Sequence, residues 1–260
     1  MVDFVNLPTW MSLLTIVALP TLAFCGLSTW VCHRQSKGIY PLASDASRDI
    51  GGYMISIVGL LLGFILVNCW DDMKHAQLDL VDESQQLIVI SRLVEQFPLA
   101  DRQSVHSALI EYIDLTTEKE WPAMIKGQPQ PFTRPAVLKL YNILARIEAT
   151  TPTQVEVYSN VIPLLNNVVE LRNQRLALAA GTMPLAMWWV VLFGSTLAMA
   201  VLVFFPADNA SNYPALITLF TAMFSLLVYV IIILQYPYSG EVRVEPTLMR
   251  QARATIIHEY

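Results

Sequence analysis

Charged side chains are scarce in this chain. Asp, Glu, Lys and Arg make up 14% of its 260 residues, whereas hydrophobic residues make up 55%. A water-soluble surface needs more charge than this, so the composition indicates an integral membrane protein. The formal net charge is −5 at pH 7, which offers no basic surface to nucleic acid. Nucleic acid is therefore excluded as an expected partner.

Cysteine and catalytic motifs are also lacking. The chain has three cysteines, an odd number, in or beside apolar runs: Cys25, Cys32 and Cys69. This placement argues against a disulfide framework and a metal cluster. No Gly-rich phosphate loop and no HExxH, CxxC or GxSxG motif occurs. Four histidines stand alone in polar stretches and are interpreted as solvated: His33, His75, His106 and His258. We therefore expect no enzyme, no cofactor and no metal site.

Four runs without any charge are long enough to cross a bilayer as helices. They cover residues 4–32, 51–70, 183–207 and 213–240, and about 20 apolar residues suffice for one crossing. The first run is too long for a signal peptide and lacks a basic start and a cleavage site. The sequence therefore predicts four transmembrane helices, and the bilayer is the first expected partner.

The polar stretch between the second and third spans is predicted to be helical. Its apolar residues recur at helical spacing, and the helix of the second span is expected to continue to Phe97. A second helix is expected to end near Trp121 and Pro122, which we interpret as a hydrophobic plug. The segment 126–135 is rich in proline and is expected to be a loop.

Two further helices complete this stretch. A third helix is expected over residues 136–149, and Thr151 is expected to cap a fourth. The fourth helix is expected to lead into the third span, with Gly181 and Pro184 marking the joint. The division is then two spans in 1–71, a helical domain in 72–182, two spans in 183–236 and a tail, partly helical, in 237–260.

Basic residues near the membrane ends predict which side each segment occupies. Six lie on the side of the helical domain: Lys74, Arg172, Arg175, Arg243, Arg250 and Arg253. Three lie on the opposite side: Arg34, Lys37 and Arg48. Because Lys and Arg are enriched in cytoplasmic loops, we expect the helical domain and both termini to be cytoplasmic.

The second span carries one narrow stripe with two open interpretations. Ser56, Leu60, Phe64 and Val67 share a helix face, Gly63 lies within the same run, and acids follow it. Such a stripe suits a hydrophobic constriction in an ion pathway. It equally suits helix packing, which is the commoner role of glycine-rich membrane helices.

Carboxylates cluster directly after the second span. Five lie within 13 residues: Asp71, Asp72, Asp79, Asp82 and Glu83. They are interpreted either as the lining of a vestibule or as an ordinary solvated helix face. The residues alone leave both alternatives open.

Three stretches resemble the bacterial bestrophin-like family, distant relatives of the bestrophin ion channels. The second span is similar to the bestrophin pore helix, with Leu62-Gly63-Phe64 in mid-span and Trp70 near its end. Glu120-Trp121-Pro122 and the segment 237–241, Pro-Tyr-Ser-Gly-Glu, resemble recurring motifs of that family, marked here by Trp121, Pro122, Pro237, Gly240 and Glu241. The layout of two spans, a helical insertion, two spans and a tail is similar as well.

The resemblance implies an all-α bestrophin-like fold and a homopentameric ion channel in a bacterial inner membrane. It implies that the second helices ring the axis and that Leu60, Phe64 and the position of Ser56 form a neck, although Ser56 replaces a large apolar residue of bestrophins. Gly63 and Val67 of the same span are expected to complete this neck. The acidic run that binds calcium in animal bestrophins is reduced here to Glu241 and Glu245, so no calcium site is implied.

The acids at the two ends of the second span bear on the ion. Asp45 and Asp49 precede this span, and Asp71 and Asp72 follow it. If they face the pore, small monovalent cations are favoured over chloride. The alternative class of function is a non-conducting membrane scaffold or signalling protein that acts through its helical domain.

Overall fold

All regular secondary structure in the described part of the chain is helical. This computed structural model describes residues 5–37, 45–181, 183–204 and 213–259. The α-helices in these ranges are α1 (Thr9–Leu13), α2 (Leu19–Ser36), α3 (Asp45–Leu93), α4 (Leu99–Leu115), α5 (Trp121–Ile125), α6 (Arg134–Leu144), α7 (Pro152–Ala179), α8 (Leu185–Phe204), α9 (Tyr213–Leu234) and α10 (Thr247–Glu259). The predicted all-α fold class is confirmed.

Four helical segments are long and apolar enough to cross a membrane, as expected. They are Thr9–Ser36, Asp49–Gln96, Leu185–Phe204 and Tyr213–Leu234. The first contains a π-helical turn, Leu14–Ala18, between α1 and α2. The chain is therefore an integral membrane protein with four apolar spans.

The helix of the second span continues far beyond its apolar run. α3 extends to Leu93 and is followed by a 3-10 turn, Val94–Gln96, so the expected continuation to this point is confirmed. Its buried side recurs at steps of three or four residues: Leu62, Ile65, Cys69, Met73, Ala76, Leu80, Glu83, Leu87, Ile90 and Val94. This spacing keeps one face of the helix inward from Leu62 onward.

The chain forms two compact units. The membrane unit contains Asp3–Asp71 and Met183–Gln235, and the helical unit contains Asp72–Thr182 and Tyr236–Tyr260. The segment that follows the fourth span thus belongs to the helical unit. α10 lies in that unit, where Arg253 Nε donates to Asp114 Oδ1 at 2.5 Å.

Two of the predicted helix ends are displaced. α4 does not finish at Trp121 and Pro122, because a π-helical turn, Thr116–Glu120, carries it into α5. Pro122 lies in the first turn of α5, directly after this π-helical turn, in which the Trp121 N–H donates to the Thr116 carbonyl. α6 ends at Leu144, earlier than the expected residue 149.

The start of α7 and its link to the third span follow the expectation. The Thr151 hydroxyl accepts a hydrogen bond from the N–H of Gln154 at 3.2 Å, completing a capping box. α7 ends at Ala179 and α8 begins at Leu185, so Gly181 and Pro184 lie between the two helices.

Inside the membrane unit, one glycine of α3 lies in close contact with α8. A Cβ atom on Gly51 would lie 2.6 Å from Cγ1 of Val201 on α8, so a larger residue would require the Val201 side chain to shift. At Gly63 no atom lies within 4 Å of such a Cβ. Close approach therefore explains Gly51 but not Gly63.

Candidate functional site

The stripe on α3 is open in the single chain. Leu60 and Phe64 are each 62% exposed and Val67 is 56% exposed. Ser56 is exposed too, and its hydroxyl donates to the Gly52 carbonyl at 2.9 Å. Burying large apolar side chains is favourable only against lipid or protein. The stripe therefore requires a partner that the single chain does not supply.

The opposite side of the same helix is packed. Leu62 is fully buried, and Ile65 and Cys69 are buried as well. α3 thus uses one face for the core of its own chain and leaves the stripe at Ser56, Leu60, Phe64 and Val67 outside it. The described part of the chain thus supplies no packing partner for this stripe, and helix packing against another copy and pore lining both remain predictions.

The acids at the ends of the second span are distributed along α3. Asp49 and Asp71 are exposed, and Asp72 is partly buried. Asp45 is the first residue of α3, and its side chain lies outside the described part of the chain. Asp71 follows Val67 by four residues and so continues the stripe.

Glu83 has a different environment from the other four carboxylates of its cluster. It is completely buried in the helical unit, so both interpretations of it as a vestibule lining or a solvated residue are wrong. Its two carboxylate oxygens accept hydrogen bonds from Arg175 Nε at 3.0 Å and Nη2 at 3.1 Å. The Tyr112 hydroxyl donates to the same carboxylate at 2.5 Å.

A second buried carboxylate joins this ion pair. Glu120 Oε2 accepts from Arg175 at 3.3 Å, and Oε1 accepts from Arg172 at 2.8 Å. The backbone N–H and the hydroxyl of Thr133 also donate to Glu120 Oε1, at 2.9 Å and 2.7 Å. Two carboxylates and two guanidinium groups therefore balance in charge, which buried ions require. We call Glu83, Glu120, Arg172 and Arg175 the buried charge cluster.

The buried charge cluster shifts the pKa of its neighbours. Burial raises the pKa of Tyr112 well above its usual value, and the nearby Glu83 carboxylate raises it further. Burial alone would lower the pKa of Arg175, yet that pKa lies above its ordinary value because Glu83, Tyr112 and Glu120 favour the cation. Tyr112 is accordingly a neutral donor and Arg175 a permanent cation.

The two family-like motifs meet beside this cluster. The rings of Trp121 and Tyr238 pack edge to face with centroids 5.5 Å apart, and the guanidinium of Arg175 lies 5.4 Å from the centre of the Trp121 ring. Ser239 Oγ donates to the carbonyls of Met124 at 3.2 Å and Ile125 at 3.0 Å. Trp121 is thus a packed plug, as expected, but it also covers the charged core.

Gly240, in the second motif, adopts a backbone conformation that favours glycine. Gly240 has φ 81°, in the left-handed region where only glycine is unstrained. The turn closes with a hydrogen bond from Val244 N–H to the Pro237 carbonyl at 2.8 Å. Pro237 and Gly240 are buried, whereas Pro122 and Glu241 are exposed. The first two therefore shape the turn.

One histidine contradicts its interpretation as a solvated residue. His106 is only 2% exposed, and its Nε2 lies 3.0 Å from the Ser91 carbonyl and 3.7 Å from Glu95. His33, His75 and His258 are exposed, as expected. Within the described ranges, no three His, Cys, Asp or Glu side chains are grouped to hold a metal ion.

Comparison with known proteins agrees with this architecture. Residues 19–249 match the model of the bestrophin-like domain. A variant of a bacterial bestrophin homologue from Klebsiella pneumoniae is 13% identical, with a TM-score of 0.73 over 93% of this chain and 97% of that one. A second variant of it is 12% identical, with a TM-score of 0.74 over the same shares of the two chains. None of the curated proteins matches the chain.

Proposed function

Because the chain belongs to the bestrophin-like family, which resembles the bestrophin ion channels, we propose that it assembles into a channel for small monovalent ions. Five copies form the channel, and the second span of each lines the pore. A channel moves ions without chemical conversion, so this function requires no catalytic group. The lipid bilayer and other copies of the chain are its partners.

The observation that carries this proposal is the open stripe of α3. Leu60, Phe64 and Val67 are large, apolar and exposed in the single chain, while the opposite face of the helix is packed. In a ring of copies the stripe turns toward the axis, and Ser56 and Gly63 complete the neck. A ring of apolar side chains limits ion flow by excluding water from the constriction.

The acids next to the neck select the ion in this proposal. Asp45 and Asp49 lie at one mouth of the pore, and Asp71 and Asp72 lie at the other. Repeated around a ring, these carboxylates create a negative potential that concentrates cations and repels chloride. The proposed ion is therefore a small monovalent cation.

The proposed topology rests on the count of basic residues. Six Lys and Arg flank the helical domain side of the spans, against three on the other side. Both termini and the domain at 72–182 are then cytoplasmic, the spans occupy 1–71 and 183–236, and the tail is 237–260. The membrane is the inner membrane of a bacterium.

The experiment that tests the pore is a flux assay in liposomes with the double variant Leu60→Ala, Phe64→Ala. Removing both side chains widens and wets the neck, so the flux of a monovalent cation should rise severalfold. The matched control is Leu22→Ala, Leu219→Ala, two leucines of other spans that are 72% and 71% exposed. Unchanged flux in a correctly assembled double variant would contradict the proposed neck.

A further inference from the structure

A cavity lies among three helices of the membrane unit, away from the stripe on α3. It has a volume of about 260 Å³ and is lined by α2, α8, α9 and the π-helical turn that precedes α2. Its walls are mostly apolar, with Phe24 and Phe224 among them. An engineered apolar cavity of about 150 Å³ accepts benzene, so this one has room for roughly ten non-hydrogen atoms.

One polar atom in the wall has no partner. Ser195 on α8 lines the cavity, and its Oγ is buried without a hydrogen bond. In a membrane helix, a Ser or Thr hydroxyl commonly donates to the backbone carbonyl one turn earlier. The next residue, Thr196, does so, because its hydroxyl donates to the Leu192 carbonyl at 2.7 Å. Ser195 does not use this local acceptor. A buried hydroxyl left without a partner is destabilising.

Three other hydroxyls line the wall, those of Thr196, Thr221 and Ser225. The Thr196 hydroxyl donates to the Leu192 carbonyl, and the Thr221 hydroxyl donates to the sulfur of Met199 at 3.3 Å. Among these wall residues, Ser195 carries the hydroxyl that is buried without a partner. Water is scarce at membrane depth, so a partner for it has to come from an amphiphilic molecule.

The cavity also has a mouth and an irregular wall. Leu192 lines it and is 45% exposed, so the cavity reaches the outer surface of α8. The opposite wall includes Ile16 of the π-helical turn and Pro20 of α2. In that turn the Leu19 N–H donates to the Leu14 carbonyl, one residue beyond the α-helical partner. Single π-helical turns within helices are frequent at functional sites.

We propose that this cavity is a binding site for a small neutral amphiphile that enters from the bilayer. Its apolar body fills the space between Phe24 and Phe224, and its one polar head group forms a hydrogen bond with Ser195 Oγ. A charged head group is excluded because the described wall offers no opposite charge to compensate for its desolvation. The site is separate from the proposed pore and does not depend on ion conduction.

The test uses photolabelling of the full chain in phospholipid vesicles with an octanol that carries a diazirine. We expect saturable labelling of cavity residues on α2, α8 and α9, blocked by an excess of unmodified octanol. Labelling that rises without saturation and spreads over all lipid-facing helices would overturn the proposal. So would equal saturable labelling by the corresponding octane diazirine, because the head group would then contribute nothing.

Two serine variants test the role of the head group. Ser195→Ala should raise the half-saturating concentration of the octanol about fivefold, the effect of one lost hydrogen bond. Ser28→Ala is the matched control, because Ser28 is a buried serine of the same unit whose hydroxyl already donates to the Cys25 carbonyl at 2.8 Å. It should leave that concentration unchanged. Equal half-saturation in Ser195→Ala and the wild type would overturn the assignment of Ser195.

Discussion

Replacement of Arg175 in the helical unit should be strongly destabilising. This residue is fully buried, and its guanidinium group reaches Glu83 at 3.0 Å and Glu120 at 3.3 Å. In the variant Arg175→Met, Glu120 keeps Arg172 and Thr133 as partners. Glu83 keeps only the neutral Tyr112 hydroxyl among the hydrogen bonds described above. The variant therefore leaves one buried carboxylate without a compensating charge.

The magnitude follows from that uncompensated charge. Breaking a buried ion pair by removing one partner destabilises a protein by about 3–5 kcal/mol. For a unit of this size, each kcal/mol lowers the Tm by about 3 °C, so we expect Arg175→Met to lower the Tm by about 10–15 °C. Adding Glu83→Gln to this variant removes the uncompensated carboxylate charge and should restore part of the lost Tm.

The assay measures the fraction of detergent-purified protein that remains monodisperse after heating. Lys139→Met is the matched control, because Lys139 forms a comparable ion pair with Glu111 at 2.6 Å with both side chains about half exposed. Exposed pairs contribute at most about 1 kcal/mol, so this variant should stay close to the wild type. Equal Tm values for Arg175→Met and Lys139→Met would refute the buried charge cluster.

Two further predictions concern the ion and the topology. The double variant Asp71→Asn, Asp72→Asn removes two charges per copy next to the neck. Its reversal potential in a salt gradient should therefore move toward the chloride value. A wild-type reversal potential already at the chloride value would contradict cation selectivity. A cysteine that replaces Asn209, which lies outside the described residues, should react with an impermeant thiol reagent in intact cells. A cysteine that replaces Gln128 should not react. The reverse pattern would contradict the proposed topology.

The helices and spans could be predicted because their signals are local. Runs without charge marked the four spans, and Thr151 followed by Pro152 marked the start of α7. The continuation of α4 through Trp121 and Pro122 was missed because proline was interpreted as a helix end. In the structure Pro122 occupies the first turn of α5, where it is compatible with a helix.

The buried charge cluster was missed because charge was equated with exposure. Glu83 was grouped with its acidic neighbours, although it follows Leu80 by three residues and precedes Leu87 by four. It thus occupies the buried face of α3. Arg172 and Arg175 show the same pattern relative to Leu165 and Val168 on α7. A charge at a position of the apolar face is the signal that identifies these residues.

The partner of the open stripe on α3 could not be predicted from the sequence for a physical reason. A helix face that meets lipid and one that forms an apolar pore neck are both built from residues such as Leu60 and Phe64. His106 is a different case. It precedes Leu109 by three residues on the buried face of α4, so its helical position carries the same signal as Glu83, but it was interpreted from its polar neighbours alone.

The symmetry of the purified assembly tests the channel proposal most directly. Electron cryomicroscopy of the protein in lipid nanodiscs should show a five-fold ring, with Leu60 and Phe64 of each copy facing a central axial pore. A monomer, or a two-fold dimer in which these side chains face lipid, would contradict the channel and favour a non-conducting scaffold.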